Sequence, residues 1–185
     1  IHEEMPQESQ SGVLGLQLWV NLAAANKMRP PAYRDVSANS VPSITVEGGT
    51  VKVLAGTWGA GQVRGPVEDV AGDPVYLDIH LQPSACISID APAGRTVLSY
   101  IIEGSLYSGQ APESQSKLRA ASACILYGQG NQLTLCAGPE GARFIIAHAP
   151  PLKESIAWGG PIVMNTRAEL ETAFRELDEG TFIKH

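Results

Sequence analysis

Residues 75–81 read VYLDIHL, and their apolar and polar side chains alternate without a break. In an extended strand, the odd-numbered apolar residues would share one face, and Tyr76, Asp78 and His80 would share the other. A strand with one apolar and one polar face is typical of an antiparallel sheet that covers a core on one side only. The segment therefore predicts a half-buried β-strand.

Further β-rich runs lie on both sides of this segment, and the 19 glycines and 13 prolines of the chain separate them. We expect the longest run, residues 96–109, to form a strand, a Glu-Gly turn and a second strand, and we expect the Gly-rich residues 56–65 to form a loop. At least seven short strands at close spacing predict an all-β jelly roll. The other runs are GLQLWVNL (15–22), TVKVLAG (50–56), ACILYGQG (123–130), QLTLCAG (132–138) and ARFIIAHA (142–149).

One helix is predicted near the C-terminal end of the sequence. Thr166 and Glu169 have the T-x-x-E spacing of a capping box. Apolar residues then recur with helical spacing, and Gly180 suits a left-handed helix end. The apolar stripe comprises Leu170, Ala173, Phe174 and Leu177.

Composition argues against several classes of protein. The formal charge of −6 and the lack of a Lys/Arg cluster argue against direct nucleic-acid binding. No apolar run has the length of a membrane span, and the first residues do not resemble a signal peptide. Cys86, Cys124 and Cys136 are widely spaced among apolar neighbours, which favours reduced, buried thiols in an intracellular protein.

His2 and Glu4 are the first candidate metal ligands. Residues two apart in a strand point the same way, so an imidazole and a carboxylate could meet at one ion, whereas Glu3 would point away. This donor pair suits Fe(II) and similar ions. On its own an H-x-E tripeptide is a weak signal, and a solvated chain end is the commoner origin of such a pattern. Among the other histidines, His80 is expected on a polar outer face, and His148 in the core or at a sheet edge.

Several motifs together resemble the pirin family, in the same order and at similar spacings. The most specific of them are GLQLWVNL, Lys27-Met28 with Tyr33, and GPIVMNT at 160–166. The resemblance covers essentially the whole chain. Its further motifs are HEEMP (2–6), KMRPPAYRDV (27–36), VYLDIHL (75–81), YIIEG (100–104) and PLKESIAWGGPIVMNTRAEL (151–170).

The resemblance implies a bicupin, which is a tandem of two double-stranded β-helix domains. Residues 1–36 would be the last strands of the N-terminal cupin, 37–166 a complete C-terminal cupin, and 167–185 a C-terminal helix and tail. The polar, Pro-terminated SANSVP (37–42) marks the first boundary. Exposed strands of the first cupin would favour oligomers.

The resemblance also implies an iron ion, Fe(II) or Fe(III), held in the N-terminal cupin by three histidines and one glutamate. His2 and Glu4 match the H-x-E part of this set, and the H-x-H part is expected upstream of Ile1, so this sequence supplies an incomplete site. In the second cupin, the positions that parallel H-x-H read Asp90-Ala91-Pro92. Proline cannot ligate a metal, and the resemblance implies a metal-free second cupin.

Two functions follow from the resemblance, and a third interpretation stays open. The first is quercetin 2,3-dioxygenase-type chemistry on a small aromatic, flavonol-like substrate, with Glu4 as a catalytic base. The second is a non-enzymatic, iron-dependent co-regulator that binds a transcription-factor protein. The third is an inactive fragment.

Overall fold

The computed structural model describes residues 12–108, 117–119, 124–127 and 130–184. The chain forms two compact units. We call Val36–Pro151 the barrel unit. We call the described parts of Ile1–Asp35 and Leu152–His185 together the helical unit. The domain boundaries predicted after residues 36 and 166 stay predictions.

The barrel unit is an antiparallel β-structure, which confirms the predicted all-β class. Its main sheet has the strand order β1-β2-β5-β10-β7-β8, while β6 also pairs with β10 and β9 with β7. A short 3-10 turn, Ala38–Ser40, precedes the sheet. The strands are β1 (Ser43–Val46), β2 (Gly49–Ala55), β3 (Thr57–Trp58), β4 (Val63–Arg64), β5 (Val75–Leu81), β6 (Cys86–Asp90), β7 (Thr96–Ser108), β8 (Lys117–Arg119), β9 (Cys124–Tyr127) and β10 (Gln132–Ala149).

Strand β5 has the predicted bounds and the predicted two faces. Its apolar residues are buried in the core, where Leu77 is 1% exposed and Ile79 0%. Its polar residues lie on the opposite face, and His80 is exposed. Neighbouring strands contribute to the same core with the same two-residue period. Its largest fully buried members are Phe144, Leu77, Ile79, Leu81, Ile89, Ile101, Leu106, Leu135 and Ile146.

The predicted Glu-Gly turn at residues 103–104 is wrong, because β7 runs through these residues as one long strand. The pairing of β7 with β10 shifts register between Ala137 and Ala142, which marks a bulge at this point. Gly104 has a φ of +75°, and a Cβ at this position would overlap the carbonyl oxygen of Gly141. The Gly-rich break predicted between 138 and 142 is likewise this bulge within β10, and it separates no strands.

The loop predicted for residues 56–65 is also wrong. Thr57–Trp58 and Val63–Arg64 pair as the two short strands of a hairpin. Trp58 is partly buried and packs against the barrel core. The glycines that suggest a loop form the tip of this hairpin, where Gly59 and Gly61 have positive φ values.

The helical unit contains a 3-10 turn (Ala24–Asn26), a hairpin of β11 (Ala157–Gly159) and β12 (Ile162–Met164), and helix α1 (Arg167–Asp178). Thr166 and Glu169 form the predicted capping box. Ala173 is buried, with Leu170 and Phe174 packed beside it. Leu177 departs from the predicted stripe, because it is 47% exposed. No helix of the described residues has the length and apolarity needed to cross a membrane.

The strand predicted for residues 15–22 is absent from the structure, although its apolar and polar residues alternate. Alternation alone does not make a strand, because a strand needs a hydrogen-bonding neighbour. Within the described part of the chain, no strand pairs with this segment. Its apolar side chains accordingly remain exposed, as at Leu18 (40%) and Trp19 (51%).

Candidate functional site

The predicted metal ligands His2 and Glu4 lie outside the described residues, as does Glu3, so their assignment stays a prediction. Elsewhere, across residues 12–108, 117–119, 124–127 and 130–184, no three His, Cys, Asp or Glu residues are grouped closely enough to hold a metal ion. Asp78 forms an ion pair of 2.8 Å with Arg143 on the polar face of the sheet, beside exposed His80. These residues form a solvated outer surface, as expected.

The barrel unit contains a cavity of about 450 Å³. Buried Val75, Leu77 and Ile89 contribute apolar surface to it, and Trp58 of the β3–β4 hairpin adds an aromatic side chain. We call this space the barrel cavity. Polar and charged residues complete its lining, namely Thr57, Asp73, Ser88, Asp90, Arg95, Gln132 and His148. Its size and its mixed lining are those of a small-molecule site.

Arg95 holds the polar end of this lining together. Its Nε donates to Nδ1 of His148 at 2.8 Å. Its Nη1 donates to a carboxylate oxygen of Asp73 at 2.8 Å, and its Nη2 donates to the backbone carbonyl of Asp73. The same Nη2 reaches the carbonyl oxygen of His148 at 3.4 Å. The fixed fork of the guanidinium group thus joins the loop before β5 to the end of β10.

His148 is buried, as the sequence predicts, with 7% of its surface exposed. Burial and, to a lesser extent, the nearby charge of Arg95 together lower the pKa of the imidazole to about 4, against the opposite influence of Asp73. The side chain is therefore neutral at pH 7. Because Nδ1 accepts a hydrogen bond from Arg95, the single ring proton must lie on Nε2.

Sequence reasoning did not single out Arg95 and did not connect His148 with Arg95 or Asp73. Arg95 lies 53 residues from His148 and 22 from Asp73, so no local motif joins them. Asp90 and Pro92, which the sequence marks as replacements for metal ligands, do line the barrel cavity. Their correspondence to the H-x-H positions of a metal-binding cupin was the signal in the sequence that a cavity lies here.

The family motifs at both ends of the chain meet in the helical unit through a polar network. Lys27 Nζ donates to Oδ1 of Asn21 at 2.6 Å. One carboxylate oxygen of Glu154 accepts from the backbone N–H of Ala24 at 2.9 Å and from Nδ2 of Asn165 at 2.8 Å. Residues of KES (153–155) and NT (165–166) therefore stabilise the packing of two distant chain segments, whereas Lys27 of KM (27–28) bonds within its own segment.

Two charges of this unit have shifted pKa values. Hydrogen bonds from the backbone and side chain of Thr166 lower the pKa of Glu169, whose carboxylate accepts from the Thr166 N–H at 2.8 Å. Burial lowers the pKa of Lys27, while the charges of Glu154 and Glu169 act in the opposite direction. These interactions are structural, since they fix the start of α1 and the adjoining segment.

The prediction of buried, reduced cysteines is wrong for two of the three. Cys86 and Cys136 form a disulfide between β6 and β10, where they are direct cross-strand partners. Cys86 is exposed and Cys136 partly so, because both point away from the buried face that their apolar neighbours occupy. In a strand, the residues next to a cysteine point to the opposite face of the sheet. Their apolar character therefore indicates that this opposite face is buried, and the prediction of buried cysteines failed for this reason. The cellular compartment stays a prediction.

Comparisons with known proteins agree with this fold. Residues 76–183 match the family model of the pirin C-terminal cupin domain. A Pseudomonas aeruginosa protein that carries the provisional name of a quercetin 2,3-dioxygenase is 38% identical over 184 residues. Human pirin is 33% identical over the same length. A crystal structure of quercetin 2,3-dioxygenase from Acinetobacter baumannii superposes with a TM-score of 0.79 at 28% identity.

The coverage of these matches is unequal. The alignments with the Pseudomonas and human proteins each include 97% of this chain, but 63% and 61% of those proteins. The Acinetobacter structure matches 89% of this chain and 55% of its own. The predicted cupin fold is thereby confirmed, and the chain spans about three-fifths of the length of the proteins it matches.

Proposed function

Because this chain belongs to the pirin family, we propose that it serves quercetin 2,3-dioxygenase-type chemistry as the part of a bicupin that supplies His2 and Glu4 to an iron ion. The observation that carries this proposal is the match to relatives named for that activity, one by sequence and one by structure. Human pirin is nearly as similar, so the level of identity alone does not separate an enzyme from a regulator.

His2 and Glu4 are ligands of a type that iron accepts, but two ligands are fewer than the proposed site requires. A neutral imidazole nitrogen and a carboxylate oxygen are ligands that non-haem Fe(II) accepts. The family resemblance implies four ligands, and these residues provide two of them. We therefore expect this chain alone to bind iron weakly, and a complete site to need further histidines.

We assign the two side chains different roles. His2 would act as a neutral nitrogen ligand only, whereas Glu4, also a ligand, would in addition hold the substrate hydroxyl and accept its proton, since a carboxylate within hydrogen-bond reach is a suitable base. Bound iron would supply the redox chemistry with O₂. The aromatic substrate itself is inferred from the names of the relatives.

The experiment that tests this function uses the product of the whole gene, loaded with Fe(II) without oxygen and then mixed with quercetin and air. We expect the flavonol absorption band to disappear, and carbon monoxide to be released. Glu4→Gln should abolish turnover, while Glu3→Gln, the same change on the neighbouring residue, should leave it intact. Equal loss in both variants would contradict the assignment of Glu4.

A regulatory role is the alternative outcome of the same experiment. If quercetin is not consumed by iron-loaded protein, the dioxygenase proposal fails. Binding to a transcription-factor protein that depends on Fe(III) would then support the co-regulator function. Elemental analysis of the present chain gives a further check, because one tightly bound iron per chain would contradict the expected incomplete site.

A further inference from the structure

His148 presents an unused hydrogen-bond donor at the barrel cavity. Its Nδ1 is occupied by Arg95, and its proton therefore lies on Nε2. The hydrogen bonds that the described residues make to His148 reach Nδ1 and the backbone carbonyl, and none of them involves Nε2. Because the residue is 7% exposed and lines the cavity, this N–H is available to a molecule inside the cavity.

The cavity offers apolar surface beside this donor. Val75 and Leu77 are 8% and 1% exposed, and Ile89 is 1% exposed, so their side chains contribute the inner face of the barrel. Trp58 packs against the same core and lines the same space. Apolar side chains with one aromatic ring and one fixed donor favour a ring-shaped guest that carries an oxygen acceptor.

The charges of the lining disfavour an anionic guest. Two carboxylates, those of Asp73 and Asp90, accompany one guanidinium group, that of Arg95. The guanidinium already donates to Asp73 and His148, so its charge is paired within the protein. With His148 neutral, the lining carries one net negative charge. Asp73 is 78% exposed and repels an anion only weakly, but a buried carboxylate or sulfonate would find no unpaired cation in the lining, which makes its desolvation costly.

We propose that the barrel cavity binds a small neutral phenol-type ring, whose oxygen accepts a hydrogen bond from Nε2 of His148 and whose ring packs beside Trp58. Arg95 is the positioning residue, because it fixes the imidazole tautomer and does not touch the guest. The proposal uses no residue of the proposed iron site. Its failure and that of the dioxygenase proposal are therefore separately observable.

Three probes that differ in one group test the recognition. They are p-cresol, toluene and p-toluate, added to uniformly ¹⁵N-labelled chain without iron and followed by NMR at the indole N–H groups and histidine nitrogens. A cavity that offered only apolar surface would bind toluene more tightly than p-cresol, because burying a hydroxyl group without a hydrogen bond costs free energy. We expect p-cresol to bind about fivefold more tightly than toluene, which is the effect of one neutral hydrogen bond, and p-toluate not to bind.

Substitutions at His148 and Trp58 connect the binding to these two residues. His148→Leu should reduce the affinity for p-cresol to that for toluene, whereas His148→Gln, which keeps an N–H donor, should recover part of it. Since a buried change can disturb folding, Trp58→Leu supplies a second test at a partly buried residue. It should weaken both neutral probes, while Trp158→Leu, the same change at a residue that is 71% exposed, should not.

The histidine nitrogens report the tautomer independently of any probe. In the unliganded chain we expect the His148 signals of a neutral ring protonated at Nε2, and Arg95→Gln should mix the two tautomers. The proposal is overturned if p-cresol gives no saturable shift of Trp58 and His148. It is equally overturned if all three probes bind alike, or if His148→Leu binds p-cresol unchanged. Quercetin is then added as a fourth probe. If its binding also depends on His148, the natural guest is the phenolic end of a flavonol. If p-cresol binds and quercetin does not, the natural guest is a smaller phenol.

Discussion

The two units of this chain are stabilised in different ways. Among the described residues of the barrel unit, eighteen buried apolar side chains form one continuous cluster. In the described part of the helical unit, the cluster consists of three buried residues, Ile162, Met164 and Ala173, and large apolar side chains such as Leu14 (67%) and Trp158 (71%) remain exposed. Hydrogen bonds of polar side chains, such as those of Lys27 with Asn21 and of Asn165 with Glu154, accompany this smaller cluster.

This difference indicates that the barrel unit provides most of the stability and that the helical unit exposes a surface suited to binding. A continuous apolar core accounts for most of the folding free energy of a domain, so the barrel unit should resist denaturation by its own packing. Exposed apolar side chains are instead typical of surfaces that bind other molecules. The exposed residues in 13–20 belong to the segment that the family resemblance assigns to a first cupin, which is why association through this surface stays our prediction.

The largest expected effect is the loss of a core side chain of the barrel. Phe144 is 0% exposed, and Phe144→Ala should lower the free energy of unfolding by about 4 kcal/mol, because it removes buried apolar surface and leaves a cavity. Leu14→Ala in the helical unit should change it by less than about 0.5 kcal/mol. Urea unfolding followed by circular dichroism measures both. Similar losses in the two variants would remove the distinction between the units.

Reduction of the disulfide should also weaken the barrel. The bond closes a loop with a sequence separation of 50 residues, for which chain entropy predicts a loss of up to about 4 kcal/mol. Cys136→Ser should show this loss, and unfolding with and without dithiothreitol should coincide for that variant. Cys124→Ser is the matched control and should keep the response to the reductant. Peptide mapping that finds no Cys86–Cys136 link would contradict the prediction.

Acid should destabilise the barrel through His148. The folded pKa of about 4 lies below the ordinary value of 6.5, so between these pH values the unfolded chain binds more protons than the folded chain. This contribution is complete above pH 6.5 and is lost as the pH falls to 4, which amounts to about 3 kcal/mol. Arg95 and Asp73 are the charges that face the ring.

Unfolding free energies measured from pH 7 to pH 4 check this slope. In His148→Gln the histidine part of the slope should vanish, whereas exposed His80→Gln should retain it. An identical pH dependence in both variants would show that the buried imidazole does not titrate as described.

The smallest effect concerns the helical unit alone. Thr166→Ala removes the side-chain acceptor of the Glu169 N–H, a bond of 3.2 Å, and should cost about 1 kcal/mol. Thr172→Ala, the same substitution in the helix interior, should have a smaller effect. Hydrogen exchange of the first-turn amides of α1 measures the difference. Faster exchange in the barrel amides of Thr166→Ala would contradict a local role.

Local patterns predicted local structure well. The alternation in Val75–Leu81 and the T-x-x-E spacing at Thr166 gave an element and a cap that the structure confirms. The same alternation in 15–22 failed, since a strand depends on a neighbour that the pattern does not describe. The turn predicted at 103–104 failed for another reason. Gly104 has a positive φ, and both turns and bulges favour glycine for such a conformation, so the residue type does not separate the two.

The candidate site was harder to predict, because its contacts join distant parts of the sequence. Arg95, Asp73 and His148 are unremarkable in their local sequences and acquire a role only through the pairing of strands. The cross-strand disulfide is a similar case, since register decides which cysteines face each other. His2 and Glu4 were found through family resemblance, and their role stays a prediction.

The close approach of Gly104 to Gly141 has a consequence for tracing distant relatives of this barrel. Two backbones that touch leave no space for a methyl group on Gly104, so a random library screened for folding should retrieve glycine alone at that position. A pair of glycines some forty positions apart, each within a long strand, would then identify barrels that share this bulge. The pair would remain recognisable even in relatives that have gained or lost ligands or ions during their divergence.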